Sequence, residues 1–174
     1  MPATVRVGVA LAIPEPHAEL LAGWRRRIGD PEADKIPPHV TLLPPTELAA
    51  DQLEVVDKHL ADAASAVLPF TMRLAGTGTF RPVSQVVFVQ VSAGIAECEL
   101  LEQAVRRGPT ARELEFPYHP HVTVGHDIAD QQLDQAFEGL RSFDAQFDVD
   151  HFTMYSQDPA GRWHIHREFP LTGP

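Results

Sequence analysis

A single cysteine, Cys98, stands in 174 residues, which excludes an intrachain disulfide and any cysteine-built zinc site. Lysine is almost as scarce. Lys35 and Lys58 are the only two, and lysine and arginine together number 14 against 24 aspartates and glutamates. The resulting net charge of −10 argues against a surface that grips long nucleic acid through many phosphates. Long apolar runs are missing too: the stretch Val5–Ile13 is broken early by Arg6 and falls far short of a membrane span. The first residues, Met1 to Pro14, show neither a basic region nor a small-residue cleavage pattern. The expectation is therefore a cytoplasmic, monomeric protein with no membrane partner. A chain of this length buries about 70% of its extended surface on folding, so no metal or disulfide staple is required for stability.

What the chain does have is nine histidines and a globular balance, 44% hydrophobic and 22% charged, which rules out a disordered chain or a coiled coil. Val5, Val7, Val9 and Leu11 alternate as in a strand. Pro16–Gly29 carries Leu20, Leu21, Trp24 and Ile28 at helical spacing, and Val40–Leu43 is a second strand bracketed by prolines. Glu47–Leu68 reads as one long helix with Leu48, Leu53, Val56 and Leu60 on its apolar face. Phe70–Ala75 and Val86–Val91 read as strands around a Gly76-Thr77-Gly78 loop, and Ile95–Arg107 as a helix stopped by Gly108-Pro109. The order then begins again. Phe116–Gly125 is a proline-interrupted strand, Asp130–Leu140 a helix and Phe147–Tyr155 a strand, and Trp163–Phe169 returns after a turn. No low-complexity linker divides the chain, so residues 1–174 are expected to form one domain of two similar α+β halves, with strand order left open.

The informative feature is His39-Val40-Thr41-Leu42, repeated 82 residues later as His121-Val122-Thr123-Val124. Residues i and i+2 of a strand share a face, so each His points with its Thr while the aliphatic residues point into a core. Prolines precede both copies, Pro37-Pro38 and Pro120, and suit the first residue of a strand because they donate no hydrogen bond. With this composition, chance supplies about 0.1 matches to His-apolar-Thr-apolar. The chain has three, since His151-Phe152-Thr153-Met154 also fits; it lies in the last hairpin and is read as a sheet histidine. One such motif alone is an ordinary β-strand histidine. Its repetition at matching places in two similar halves points instead to a pair of imidazoles with a pair of hydroxyls.

On these motifs the chain resembles the two-histidine (2H) phosphoesterase superfamily, and within it the bacterial 2′-5′ RNA ligase family of RNA 2′,3′-cyclic phosphodiesterases. Arg6–Pro14 is similar to that family's opening strand, Gly76–Phe80 to its mid-chain Gly-Phe loop, and the segment from Tyr155-Ser156 through Gly161 to Leu171 to its closing hairpin. The resemblance implies an α+β, bilobal fold with pseudo-twofold symmetry. Its two lobes intertwine, and a pair of antiparallel sheets lines a central cleft with helices on the outer faces. It also implies a hydrolase that opens 2′,3′-cyclic phosphates on RNA ends or small nucleotides, with the reverse 2′-5′ ligation as a second direction.

Opening a cyclic phosphate needs a base for the attacking water and an acid for the departing ribose oxygen. Unperturbed imidazoles titrate near pH 6.5, so two of them supply both at neutrality. His39 and His121 are the expected catalytic pair, in either order of roles. Thr41 and Thr123 are expected to bind the substrate by donating to the non-bridging phosphate oxygens. No metal and no cofactor is expected. The expected partner is a cyclic-phosphate nucleotide or a short RNA end rather than long nucleic acid. Arg81 after the Gly-Phe loop is a candidate phosphate contact, and Phe80 and Tyr118 are candidates to stack on a base. Bacterial members often carry arginine soon after the second motif, where this chain reads Gly125-His126. In an ideal strand His119 shares the face of His121 and His126 does not, a parity that Pro120 makes unreliable. Two rival readings remain. One is a metal hydrolase using His119 with His121, or His164 with His166, completed by Asp127 or His126. The other is a binding module for nucleotide or RNA that has no catalysis.

Overall fold

Alternating burial explains the strands. Val7, Val9 and Leu11 of β1 (Thr4–Ala12) are buried on one face, as are Val40 and Leu42 of β2 (His39–Ala49). The structure is a computed structural model that describes residues 3–174. After β1 come α1 (His17–Arg27), β2, α2 (Leu53–Ala63), β3 (Phe70–Thr79), β4 (Val86–Ala93) and α3 (Ile95–Val105). The remainder is β5 (His121–His126), α4 (Asp130–Gly139), β6 (Asp144–Val149), β7 (His151–Gln157) and β8 (Trp163–Pro170). All strand pairs are antiparallel, in the order β6-β3-β4-β5-β2-β1-β7-β8.

The α+β fold with paired antiparallel sheets is as expected, and the order shows how the two sheets relate. Four strands, β6-β3-β4-β5, meet four others, β2-β1-β7-β8, edge to edge through the single pairing Val40↔Val122. The two tetrapeptides thus occupy the two strands at the seam. Chain crossings bind the halves together: β3 follows α2 yet pairs in the second sheet, while β7 returns to pair with β1 in the first. Helices cross likewise, α1 packing against β5 and α3 against β2. Between the helices and the sheet lies an aliphatic core that includes Val40, Leu42, Val122 and Val124. Among the described residues no helix is long and apolar enough to cross a membrane.

The departures from the expected bounds are largest in four places. The helix expected to begin at Glu47 begins at Leu53, because Leu48 pairs opposite Val5 in β2, and α2 ends at Ala63 rather than Leu68. Gly76-Thr77-Gly78 is no loop; it lies within β3, whose extra residues are absorbed in an irregular register against β4. The strand expected from Phe116 starts only at His121, since Pro117 and Pro120 withhold ladder donors. The expected strand Phe147–Tyr155 is two strands, β6 and β7, parted at Asp150, whose carbonyl accepts from Leu171 N–H.

Candidate active site

At the seam, β2 and β5 present His39, Thr41, His121 and Thr123 to one cleft of about 370 Å³. The structure thus brings the four residues together, each half-buried, with Val40 and Val122 fully buried beneath them. The two imidazoles are held in the same way. His39 Nδ1 lies 2.8 Å from the Pro37 carbonyl oxygen, and His121 Nδ1 lies 2.7 Å from that of His119. A carbonyl only accepts, so Nδ1 carries the proton in both rings and Nε2 is left for the cleft.

Burial pushes His39 down to about 4; the hydrogen bond to the Pro37 carbonyl opposes this, while the Arg25 guanidinium and the His121 ring reinforce it. Burial also lowers His121, opposed by its bond to the His119 carbonyl and reinforced by the nearby His119 ring. Phe80 meets the His121 ring edge-on at 5.0 Å and packs at 4.5 Å on Phe88, so it braces the imidazole. Tyr118 donates its hydroxyl to the Thr41 carbonyl oxygen at 2.8 Å and ties the preceding segment to β2.

A β-bulge follows each threonine. Thr41 faces Ala10 and Leu43 faces Val9, leaving Leu42 as the extra residue; Thr123 faces Phe88 and Gly125 faces Val87, leaving Val124. A bulge resets the alternation of faces. His126 consequently lines the cleft, against the parity of an ideal strand, with its Nε2 3.3 Å from Asp127. Gly125 lets the bulge approach the core closely, since a Cβ there would lie 2.8 Å from a terminal methyl of Leu133 and 3.0 Å from that of Ile28, and those side-chain ends would have to shift.

Arg81 is not a free cation for phosphate. It pairs with Asp134 at 2.9 Å and Asp130 at 3.4 Å in α4, outside the cleft lining. His151 sits beside Asp150, His164 beside Asp158 and His166 beside Asp57. The His119 and His121 ring centres are 6.2 Å apart. Among the described residues, no three His, Cys, Asp or Glu side chains gather as a metal-ligating group.

Three cleft residues went unread in the sequence. Tyr155 of β7 and Trp163 of β8 line the cleft on the His39 side, where the indole lies over Gly8 of β1. Arg25, at the end of α1, lines it as well, only 4% exposed and paired with Asp30. An arginine in a helix's last turn reads as a complement to the helix dipole. The usable signal was the sequence Arg25-Arg26-Arg27-Ile28-Gly29-Asp30, which predicts a turn bringing Asp30 back to Arg25. A second hollow of about 630 Å³ adjoins the cleft, sharing Thr41 and His121, with Phe80, Leu114, Phe116 and Tyr118 among its walls.

Residues 13–161 match the family model described as the 2′-5′ RNA ligase superfamily. A protein of Bacillus mycoides (strain KBAB4), named "Putative phosphoesterase", is 32% identical over 151 residues, covering 86% of this chain and 87% of its own. A protein of the same name from Bacillus cereus (strain AH820) matches to the same extent. Among solved structures, E. coli LigT complexed with 3′-AMP superposes with a TM-score of 0.75 at 21% identity, covering 98% of this chain and 99% of that one. The protein TT0787 of Thermus thermophilus does so with a TM-score of 0.60 at 22% identity, covering 97% and 98%. The LigT protein has also been crystallised with ATP, covering 98% of this chain and 99% of its own with a TM-score of 0.68 at 24% identity.

Proposed function

Because the chain belongs to the 2′-5′ RNA ligase superfamily, a family of 2H phosphoesterases, we propose that it opens 2′,3′-cyclic phosphates of nucleotides or short RNA ends, with 2′-5′ ligation as the reverse reaction. One observation carries the reading. Two imidazoles on adjoining strands, each fixed at Nδ1, turn their Nε2 atoms to one cleft that Thr41 and Thr123 share. Water attacks phosphorus in line with the departing ribose oxygen, one Nε2 taking the water's proton and the other protonating the ribose oxygen. The threonine hydroxyls donate to the non-bridging oxygens as charge grows there. Exchanging the two roles runs the ligation.

The LigT complexes with 3′-AMP and ATP support a nucleotide as the ligand class. The hollow beside His121, walled by Phe80, Phe116 and Tyr118, is large enough for a base. With a net charge of −10, the chain is suited to one or a few nucleotides held in this cleft rather than to a long strand. The test is a panel of 2′,3′-cyclic mononucleotides, cyclic-phosphate-ended oligomers and small cyclic phosphates, run in excess chelator. Turnover to a 2′-phosphate is expected, and His39→Ala or His121→Ala should lower it by about 10²–10⁴-fold. An unchanged rate in either variant would overturn the pair, and binding without turnover of any member would favour a binding module.

A further inference from the structure

The end of α1 is built around one pair of residues. Gly29, at φ +80°, donates its N–H to the Arg26 carbonyl at 3.1 Å, and Asp30 donates its own to the Arg25 carbonyl at 2.9 Å. These two bonds are the Schellman ending of a helix, in which the first and sixth residues commonly meet through an apolar contact. Here they meet as an ion pair: Arg25 Nε and Nη2 lie 2.9 and 2.8 Å from Asp30 Oδ2, and both residues are 4% exposed. A buried ion pair is a poor stabiliser where well-packed apolar residues would serve as well. The charge therefore answers another need.

The cleft supplies one. Nη1 of Arg25 has no protein acceptor among the described residues, and Arg25 lines the cleft with His39 and Thr41. Its neighbours do not compete for that place, since Arg26 pairs outside with Glu19 and Asp34 and Arg27 lies over Trp24. Among the described residues, no other arginine and no lysine lines this cleft.

We infer that Arg25 binds a non-bridging oxygen of the reacting phosphate and makes His39 the base of the pair, an inference that rests on the phosphodiesterase reading and deepens it. A cyclic phosphodiester carries one negative charge, which grows on its non-bridging oxygens as water adds, and a preoriented cation stabilises that growth. The guanidinium beside His39 also disfavours a second positive charge there. His121 has no guanidinium among the neighbours that act on it; Phe80, Phe88 and His119 surround it, and of these only the His119 ring disfavours its charge. The other titratable groups lining the cleft are Glu32, His126 and Tyr155, and Glu32 is paired with Lys35 at 3.3 Å. In the form of the pair that carries one proton, that proton sits on His121. The bond from water oxygen to phosphorus forms while the bond to the ribose oxygen breaks. Water's proton passes to His39 Nε2, and that of His121 Nε2 passes to the ribose oxygen. Exchange with solvent then restores both rings.

Arg25→Gln alone would strand the Asp30 carboxylate in the interior, so the test pairs it with Asp30→Asn to leave no lone charge. Inorganic phosphate is titrated into the full-length wild type and double variant, and the histidine ring resonances are followed against pH in both. The expected result is at least about a tenfold loss of phosphate affinity, with the His39 midpoint rising and that of His121 moving less. Phosphate affinity unchanged within about twofold, or an unmoved His39 midpoint in a folded variant, would overturn the inference and leave the pair a strut. Neither readout needs turnover. A wild type inactive on every cyclic phosphate would sink the phosphodiesterase reading, while Arg25 would still be judged on these two measurements.

Discussion

Pro37 and His119 each place a carbonyl oxygen under the imidazole two residues later, and this sets both the tautomer and the direction of the rings. Both rings also titrate below the ordinary histidine range because both are desolvated, His39 near 4. The form of the pair with one proton is the one able to act, and it is most populated between the two lowered midpoints. The kcat/KM profile for a cyclic nucleotide is therefore expected to be bell-shaped with its maximum below pH 6.5, the free-imidazole value. Toward acid it falls as His39 gains a proton, and toward base it falls as the second ring loses its own. A profile that climbs to a plateau above neutrality would contradict this. At this scale the sequence was readable where chemistry repeats, in His39, Thr41, His121 and Thr123. It was silent on ring direction, which depends on backbone carbonyls. It left the role of Arg81 open, since the arginine reaches two aspartates of α4 that lie about fifty positions away.

Among elements, the bulges and the turn after α1 decide what reaches the cleft. Each tetrapeptide ends in the extra residue of a bulge, Leu42 or Val124, so matching positions in the two halves bend alike. Alternation read from sequence cannot foresee a bulge, which is why ideal parity does not place His126. The break between β6 and β7 was hidden for a related reason: Phe147–Tyr155 is continuously β-favouring, and only tertiary pairing of Asp150 parts it. The helices were plainer, because α1, α3 and α4 show their burial at 3.6-residue spacing and differ from expectation only at their ends. Gly29 gives this scale its prediction. At φ +80° an alanine is strained by about 1–2 kcal/mol, and the strain falls on the two hydrogen bonds that hold Asp30 beneath Arg25. Gly29→Ala should lower the Tm by several degrees and also weaken binding of inorganic phosphate. A loss of stability with phosphate affinity intact would separate the turn from the cleft.

Taken whole, the molecule is two four-strand sheets that share one Cα pairing at the seam, yet neither sheet is made from one half of the sequence. β3 and β7 exchange sides, and α1 and α3 each pack on the opposite seam strand. Such a weave is proposed to unfold as one domain. Trp24 on α1 packs with the second sheet's side and Trp163 belongs to the first, so they report on different halves. Single-tryptophan variants at these positions should give coincident denaturant transitions; two separated midpoints would refute the single domain. The resemblance of the two halves was visible in the order of elements, but the exchange was not, because strand partners many residues apart leave no local pattern. The uncharged state of the resting imidazoles has a further consequence for a protein of net charge −10. If a cyclic nucleotide enters this cleft as proposed, its negative charge favours the protonated form of the rings it touches, so binding near neutral pH is expected to draw protons in from the solvent. That uptake offsets part of the charge the ligand brings and eases its approach to an acidic surface.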